Sequence, residues 1–240
     1  MEIIFEPTYE AMSQRAAADL LRIVATVEAP LICPTSGSTP AGLYQSLVQQ
    51  IQEQNIDYSR WFFVGLDEWA GMNGSDAGSC RHFVDQELFQ PLKIKETNIY
   101  FFNGKAADPE NECRDAETFI KQHGGITVAI VGLGLNGHVG MNEPGTPATL
   151  HSHIAQLADE TKQVGQKYFD APKDLSTGLT LGIATLLQAQ HLFVIANGEK
   201  KAGVVKKVVD ENPNENLPAT FLKQHKNFSI YLDDKAAQLL

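Results

Sequence analysis

Short apolar runs alternate with longer amphipathic stretches along almost the whole chain. The runs are rich in β-branched and aromatic residues, which favour strands, whereas the stretches between them repeat apolar positions at helical spacing. Seven runs predict strands, at residues 2–5, 29–33, 61–66, 98–102, 126–132, 192–197 and 228–232. Helical segments are expected at residues 8–26, 41–54, 80–89, 109–122 and 199–210, and a short helix closes the chain.

Strands that alternate with helices predict βαβ units and a largely parallel sheet. The expected fold class is therefore α/β: a Rossmann-like, doubly wound, mostly parallel sheet with helices on both faces. No internal repeat, low-complexity tract or linker rich in proline and serine interrupts the pattern. We therefore expect a single domain over residues 1–240.

The amino-acid composition limits which kinds of molecule the protein can be expected to bind. With 43% hydrophobic residues the chain can bury a sizeable core, and its formal net charge of −10 argues against binding nucleic acid or an anionic membrane through the whole surface. A small anionic ligand in a locally positive site stays compatible with that charge. Residues 1–10 lack a basic region followed by a long apolar one, and no stretch approaches a membrane span, so a cytoplasmic protein is expected.

The three cysteines are widely spaced and form no C-x-x-C pair. Neither a zinc knuckle nor a disulfide framework is suggested by that spacing. The chemistry is therefore sought at the carboxyl ends of the predicted strands, where ligands bind in open parallel sheets.

The strand at 29–33 is followed by PTSGSTP, Pro34 to Pro40, and then by a predicted helix. Ser36, Gly37, Ser38 and Thr39 place hydroxyls and free N–H groups at a helix start, where the helix dipole favours a phosphate. The Walker lysine is missing, which disfavours a nucleoside triphosphate. The plain structural alternative is a capped helix with Thr39 as N-cap and Pro40 at the first helical position.

The strand at 61–66 runs directly into Asp67 and Glu68. Neighbouring side chains at a strand end point to different faces, so one carboxylate can face the ligand crevice while the other is packed or solvated. A carboxylate at such a point is a candidate general base. Exposed loop acids are also common, and the residues alone leave both interpretations open.

The strand at 126–132 is followed by GLGLNGHVGMNEPGT, residues 132–146, which begins with a G-x-G-x-x-G pattern. A dinucleotide-binding turn must open a helix, but here two glycines and two prolines fall within the next eleven residues, so the dehydrogenase interpretation fails. The glycines instead let the backbone approach a ligand while presenting His138 and Glu143, a plausible acid–base pair. A loop or core histidine is the alternative.

The strand at 192–197 is followed by Gly198, Glu199 and the lysines Lys200 and Lys201. A lysine in the first helical turn opposes the helix dipole and is locally unfavourable unless it serves an anion. Both lysines are candidates for a phosphate contact, and at least one is expected to be an ordinary surface lysine.

These four stretches, in this order, resemble the glucosamine-6-phosphate deaminase/isomerase family, whose relatives include the 6-phosphogluconolactonases. The most specific elements are NGHVGMNEPGT at 136–146 and LDEWAG at 66–71, supported by TLGIATLLQAQHLFVIANGEKKA at 180–202. The resemblance covers nearly the whole chain. It implies a Rossmann-like α/β domain, a small-molecule sugar-phosphate substrate, no metal and no organic cofactor.

The resemblance also implies roles for individual residues. Asp67 would move a proton between C2 and C1 of the sugar, His138 would open the sugar ring, and Glu143 would hold and tune that histidine. Asn136 stands where some members have aspartate and others asparagine, which puts a charged relay in doubt. The sugar phosphate would be held by Ser36, Gly37, Ser38, Thr39 and Lys201.

Three departures from the family pattern change the expectations. Lys167, in KYFD, stands where many deaminases have a phosphate-binding arginine, so a different hold on the phosphate is expected. LHSH at 150–153 replaces the basic residues of an allosteric phosphate site of hexameric members, so no such activation is expected. The DEW and GSC of residues 67–69 and 78–80 are closer to members named galactosamine-6-phosphate isomerases.

The leading interpretation is an isomerising deaminase that converts a hexosamine 6-phosphate, glucosamine or galactosamine, into a ketohexose 6-phosphate and ammonia. A 6-phosphogluconolactonase is the alternative, although lactonases of this type show an EDGHTAS-like stretch, whereas NGHVGMNEPG in this chain carries the deaminase-type carboxylate Glu143. A non-catalytic sugar-phosphate sensor would have no need of Asp67, His138 and Glu143 together. Whether the protein is a monomer or a homo-oligomer stays open.

Overall fold

The computed structural model describes residues 1–240. It contains ten strands, most of them close to the apolar runs of the sequence. They are β1 (Glu2–Glu6), β2 (Leu31–Cys33), β3 (Phe62–Val64), β4 (Asp67–Trp69), β5 (Ile99–Tyr100), β6 (Val128–Gly132), β7 (His153–Gln156), β8 (Thr177–Thr180), β9 (His191–Ala196) and β10 (Phe228–Asp233).

Eight α-helices connect or follow these strands. They are α1 (Tyr9–Val24), α2 (Ser38–Gln54), α3 (Cys80–Val84), α4 (Pro109–Gln122), α5 (Asp159–Gly165), α6 (Ile183–Leu187), α7 (Ala202–Asp210) and α8 (Asp234–Ala237). Helix α3 continues into a π-helical turn at Asp85–Phe89, and 3₁₀ turns follow α5 at Gln166–Tyr168 and precede α7 at Glu199–Lys201. None of the eight α-helices combines the length and the apolar character that a membrane span requires.

The main sheet has seven strands in the order β1-β10-β9-β6-β2-β3-β5, and all of its pairings are parallel. Its central strands are buried on both faces, which explains why they read as continuous apolar runs. In β6, Val128 and Ile130 pack on one face, whereas Ala129 and Val131 pack on the other. The predicted α/β fold is confirmed.

Helices cover both faces of this sheet. Residues of α1, α2 and the turn at Asp85–Phe89 join one apolar cluster, which includes Leu20, Leu43 and Phe89. Residues of α4, α6 and α7 join the other cluster on the opposite face. The result is a three-layer arrangement in which the carboxyl ends of the strands are left free to carry polar loops.

A second sheet was not predicted from the sequence. Strands β4, β8 and β7 form an antiparallel sheet of three short strands that packs on its own small apolar cluster, which includes Trp69 and Met141. Segments of three or four residues carry too little alternation to be recognised in a sequence. The consequence for the site is direct, because Asp67 lies on β4 and not in a loop.

The start of α2 also differs from the capped-helix alternative. The helix begins at Ser38 with Gly37 as its N-cap, so Pro40 is its third residue. Thr39 does not cap the helix, because its hydroxyl donates to Oδ1 of Asn197 at 2.7 Å. Gly37 has φ of +121°, a conformation that glycine adopts without strain.

Candidate active site

The order of strands in the main sheet reverses between β2 and β6. In doubly wound sheets the loops that leave two such strands diverge and open a crevice. A cavity of about 880 Å³ lies there. Nine of the ten predicted site residues line it: Ser36, Gly37, Ser38, Thr39, Asp67, Asn136, His138, Lys167 and Lys201. The tenth, Glu143, is buried behind the cavity wall.

The loop after β2 is held from beneath by Tyr44 of α2. The fully buried phenol accepts a hydrogen bond from the amide N–H of Thr35 at 2.8 Å and donates to the carbonyl of Thr35 at 2.7 Å. The loop then enters α2 through Gly37, which brings the helix N-terminus to the cavity. Backbone N–H groups at such a terminus bind anions.

Four lysines line the same cavity as this helix terminus: Lys167, Lys200, Lys201 and Lys235. Burial, and then the nearby charge of Lys167, lower the pKa of Lys201 to about 8. The Lys201 ammonium donates to the carbonyl of Leu133, just beyond β6, and the Lys167 ammonium lies 4.8 Å from the centre of the Tyr168 ring. Like charges held close together in a protein cost free energy unless an anion offsets them. This end of the cavity therefore suits a phosphate.

Asp67 and Glu68 take the different roles that their alternation on a strand allows. Glu68 is fully buried, and its carboxylate accepts the backbone N–H groups of Trp69, Cys80 and Arg81 at 2.9, 3.0 and 2.9 Å. It thus fastens the first turn of α3 to β4. Asp67 points to the other side and lines the cavity.

The Asp67 carboxyl is suited to accept a proton. Burial raises its pKa to about 6, against the lowering effect of a hydrogen bond from the Cys80 thiol. A general base works best when its pKa lies near the working pH, because it is then ionised and still basic. The histidine loop reaches the same place, since a Cβ on Gly140 would lie 3.5 Å from Oδ2 of Asp67.

Glu143 does not contact His138 through a hydrogen bond. The distance from Glu143 Oε2 to His138 Nδ1 is 3.7 Å, and Asn136 lies between the two residues. The amide nitrogen of Asn136 donates to Glu143 Oε2 at 2.8 Å, while its oxygen lies 2.8 Å from His138 Nδ1 and accepts the His138 backbone N–H at 3.1 Å. The three side chains form one hydrogen-bonded chain.

The hydrogen bonds that join Glu143, Asn136 and His138 determine which nitrogen of His138 carries the proton. A carboxylate can only accept, so the NH₂ group of Asn136 must face Glu143 and its oxygen must face His138. That oxygen requires a proton on Nδ1, which leaves Nε2 with a free lone pair. Burial lowers the pKa of His138, and Lys201 adds to the lowering while Glu143 opposes it. At neutral pH His138 is therefore a neutral base at Nε2.

Gly134 gives the imidazole its room. A Cβ at this position would lie 2.4 Å from both Cε1 and Nδ1 of His138, closer than any van der Waals contact allows. The second glycine of the G-x-G-x-x-G pattern thus allows a side chain to approach, and the residues that follow it form turns rather than a helix. The rejection of a dinucleotide-binding turn is confirmed by that context.

Other cavity residues were not assigned from the sequence: Trp69, Cys80, Thr161, Tyr168 and Asn197. Asn197 directly follows β9 and could have been found by extending the strand-end rule by one residue. Thr161 and Tyr168 lie in and after α5, which follows no strand of the main sheet, so the strand-end rule did not reach them, although the family resemblance pointed to Lys167 beside Tyr168. No group of three or more His, Cys, Asp or Glu side chains is arranged to hold a metal ion.

Comparison with known proteins identifies relatives over the whole chain. Residues 7–231 match the family described as glucosamine-6-phosphate isomerases/6-phosphogluconolactonase. The glucosamine-6-phosphate deaminase of Shouchella clausii is 34% identical over 240 residues, covering 100% of this chain and 97% of the relative. That of Clostridium perfringens is 33% identical over 241 residues and covers 100% of both chains.

Solved structures give the same grouping. A structure described as a monomeric glucosamine-6-phosphate deaminase superposes with a TM-score of 0.96 at 31% identity and covers 100% of both chains. The 6-phosphogluconolactonase of Trypanosoma brucei superposes with a TM-score of 0.78 at 20% identity, covering 100% of this chain and 98% of the other. At that identity the second likeness concerns the fold alone.

Gly134→Ala is expected to lower kcat by about 100-fold, because the new methyl group displaces the imidazole of His138 from its place. The backbone at Gly134 is not left-handed, so folding should be preserved. Steady-state kinetics and thermal unfolding would measure the two effects. Gly203→Ala in α7 is the matched control, since its Cβ meets no atom within 4 Å. Equal kcat values for the two variants would contradict the packing role of Gly134.

Glu68→Gln is expected to reduce the free energy of unfolding by about 1–3 kcal/mol, because a glutamine offers one acceptor oxygen to three buried N–H donors. It should also lower kcat, because β4 and α3 would no longer hold Asp67 in place. Denaturant unfolding and kinetics measure both. Glu215→Gln, at an exposed carboxylate, is the control and should change neither.

Proposed function

The chain belongs to the family of glucosamine-6-phosphate isomerases and 6-phosphogluconolactonases, and we propose that it is an isomerising deaminase of a hexosamine 6-phosphate. The products are a ketohexose 6-phosphate and ammonia. The observation that carries this proposal is the presence, in one cavity, of a buried carboxylate on Asp67 and a neutral imidazole on His138. A base for a carbon acid and a base for a hydroxyl are the two groups that the reaction needs.

The phosphate of the substrate is bound between the N-terminus of α2 and the two lysines, Lys167 and Lys201. Backbone N–H groups of Ser36 to Thr39 supply uncharged donors, and the lysines supply charge. Binding energy from this far end holds the reacting carbons of the sugar against the two bases. Lysine gives one charge without the planar fork of an arginine, so the contact from Lys167 is a point-charge contact.

Ring opening falls to His138. Its unprotonated Nε2 accepts the proton of the hydroxyl on C1 while the bond between C1 and the ring oxygen breaks, and the proton is returned to that oxygen. The imidazolium that forms in between donates from Nδ1 to Asn136, whose amide is held by the Glu143 carboxylate. The negative charge of Glu143, on the far side of the Asn136 side chain, stabilises the imidazolium without itself taking the proton.

Proton transfer between carbons falls to Asp67. Its carboxylate removes the proton from C2, giving an enediol-type intermediate that bears nitrogen at C2, and delivers the proton to C1. The C2 iminium ion that results adds water, and the carbon–nitrogen bond then breaks to release ammonia and leave the ketone. A pKa of about 6 keeps Asp67 ionised at neutral pH and able to give the proton back.

The lactonase alternative uses a histidine to activate water and has no need of a base for a carbon acid. The buried Asp67 and the chain from Glu143 to His138 favour the deaminase. Glucosamine 6-phosphate is the proposed substrate, because relatives that are 34% and 33% identical over the whole chain are named glucosamine-6-phosphate deaminases. The galactosamine epimer, which differs at C4, is the competing substrate suggested by the DEW and GSC stretches.

Ammonia release from glucosamine 6-phosphate and from galactosamine 6-phosphate, measured in parallel on purified protein, tests the proposal. Release from either substrate supports the deaminase, and the ratio of kcat/KM values identifies the epimer. No release from either, together with hydrolysis of 6-phosphogluconolactone, would replace the deaminase by the alternative.

Asp67→Asn is expected to lower kcat by about 10²- to 10⁴-fold while KM changes by less than about threefold, because the amide cannot accept the proton from C2 but fills the same space. In the unmodified protein kcat should fall as the pH drops below about 6, where Asp67 becomes protonated. Turnover by the variant close to that of the unmodified protein would remove Asp67 as the base.

Lys201→Arg is expected to alter the dependence of KM on pH. In the unmodified protein KM should rise above pH of about 8, where Lys201 loses its proton and its attraction for phosphate. Arginine stays charged, so KM of the variant should stay level over that range. Lys200→Arg is the control and should retain the rise. Ionisation of the substrate is common to all three proteins and cancels when they are compared.

A further inference from the structure

Thr161 contacts the hydrogen-bonded series of Glu143, Asn136 and His138 from a helix that belongs to neither sheet. It lies in α5, is buried, and lines the cavity. Its Oγ1 is 3.2 Å from Nδ1 of His138, across 23 positions of sequence. It is the one side chain outside the loop of residues 132–146 with a hydrogen-bonding contact to this imidazole.

The direction of that contact follows from the protonation of His138. Because the oxygen of Asn136 requires a proton on Nδ1, the Thr161 hydroxyl must act as a second acceptor for the same N–H. Two acceptors on one side of the ring restrain its rotation better than one. They also stabilise the imidazolium, since its N–H groups are stronger donors than those of the neutral ring.

Helix α5 gives this contact a further consequence. The helix and the turn that follows it bring Lys167 and Tyr168 to the phosphate end of the cavity. A single short segment thus contacts both the place where the phosphate binds and the base that opens the ring. The position of α5 and the orientation of the imidazole are therefore linked through the Thr161 hydroxyl.

We propose that Thr161 is a positioning residue for ring opening: its hydroxyl, as second acceptor of the Nδ1–H group, holds His138 with Nε2 directed into the cavity. The same contact joins α5 to the hydrogen-bonded series of Glu143, Asn136 and His138. This inference rests on the proposed function for its kinetic consequence. Its geometric part concerns the protein without substrate and can be tested separately.

Thr161→Val tests it, because valine keeps the shape of threonine and removes only the hydroxyl. We expect kcat for ammonia release to fall about 3- to 10-fold, the worth of one hydrogen bond between neutral groups, with KM changed by less than about twofold. Thr161→Ser restores the hydroxyl and should restore kcat. Thr118→Val, on the exposed face of α4, is the matched control and should match the unmodified protein.

Nuclear magnetic resonance of the ring proton on Nδ1 of His138 gives a readout that does not depend on activity. In Thr161→Val this proton should exchange faster with water and shift upfield, and in Thr161→Ser and Thr118→Val it should not. An unchanged ring proton, or a fall in kcat that serine does not restore, would overturn the positioning role. If the unmodified protein deaminates no hexosamine phosphate, the proposed function fails, and the resonance of His138 still decides the role of Thr161.

Discussion

The hydrogen bond from the Asn136 amide to the buried carboxylate of Glu143 is the interaction on which the rest of the site depends. A carboxylate can only accept hydrogen bonds, so the amide has one permitted orientation, and its oxygen then requires a proton on Nδ1 of His138. The free lone pair is left on Nε2 of a ring that lines the cavity. Gly134 and Thr161 act on the same ring by giving it space and a second acceptor.

The His138 side chain with its hydrogen-bond partners and the Asp67 carboxylate come from two different sheets. The histidine loop leaves β6 at the point where the order of strands reverses, whereas Asp67 belongs to the small antiparallel sheet. Glu68 makes that arrangement rigid, because a fully buried carboxylate with three backbone donors cannot move without leaving them unpaired. Two adjacent acids on one strand thus have different positions: Glu68 holds the strand to α3, and Asp67 faces the cavity.

Much of the fold and most of the candidate site residues could be predicted from the sequence. The central strands are long apolar runs, and the rule that ligands bind at their carboxyl ends located Ser36 to Thr39, Asp67, His138 and Lys201. The residues alone left the choice between Asp67 and Glu68 open, and only the family resemblance assigned it, because it depends on the three-residue strand β4 and on donors that lie at Cys80 and Arg81. Thr161 was equally out of reach, since its position depends on the packing of a short helix and not on any strand end.

The nitrogen resonances of the His138 ring, measured at pH 7 in the protein without substrate, show directly which nitrogen carries the proton. We expect a neutral ring in which Nδ1 is protonated and Nε2 is not, because burial and Lys201 lower the pKa of His138 and Asn136 holds the proton on Nδ1. A ring protonated on both nitrogens, or one with its proton on Nε2, would contradict this arrangement, since the proposed ring opening needs a free lone pair on Nε2.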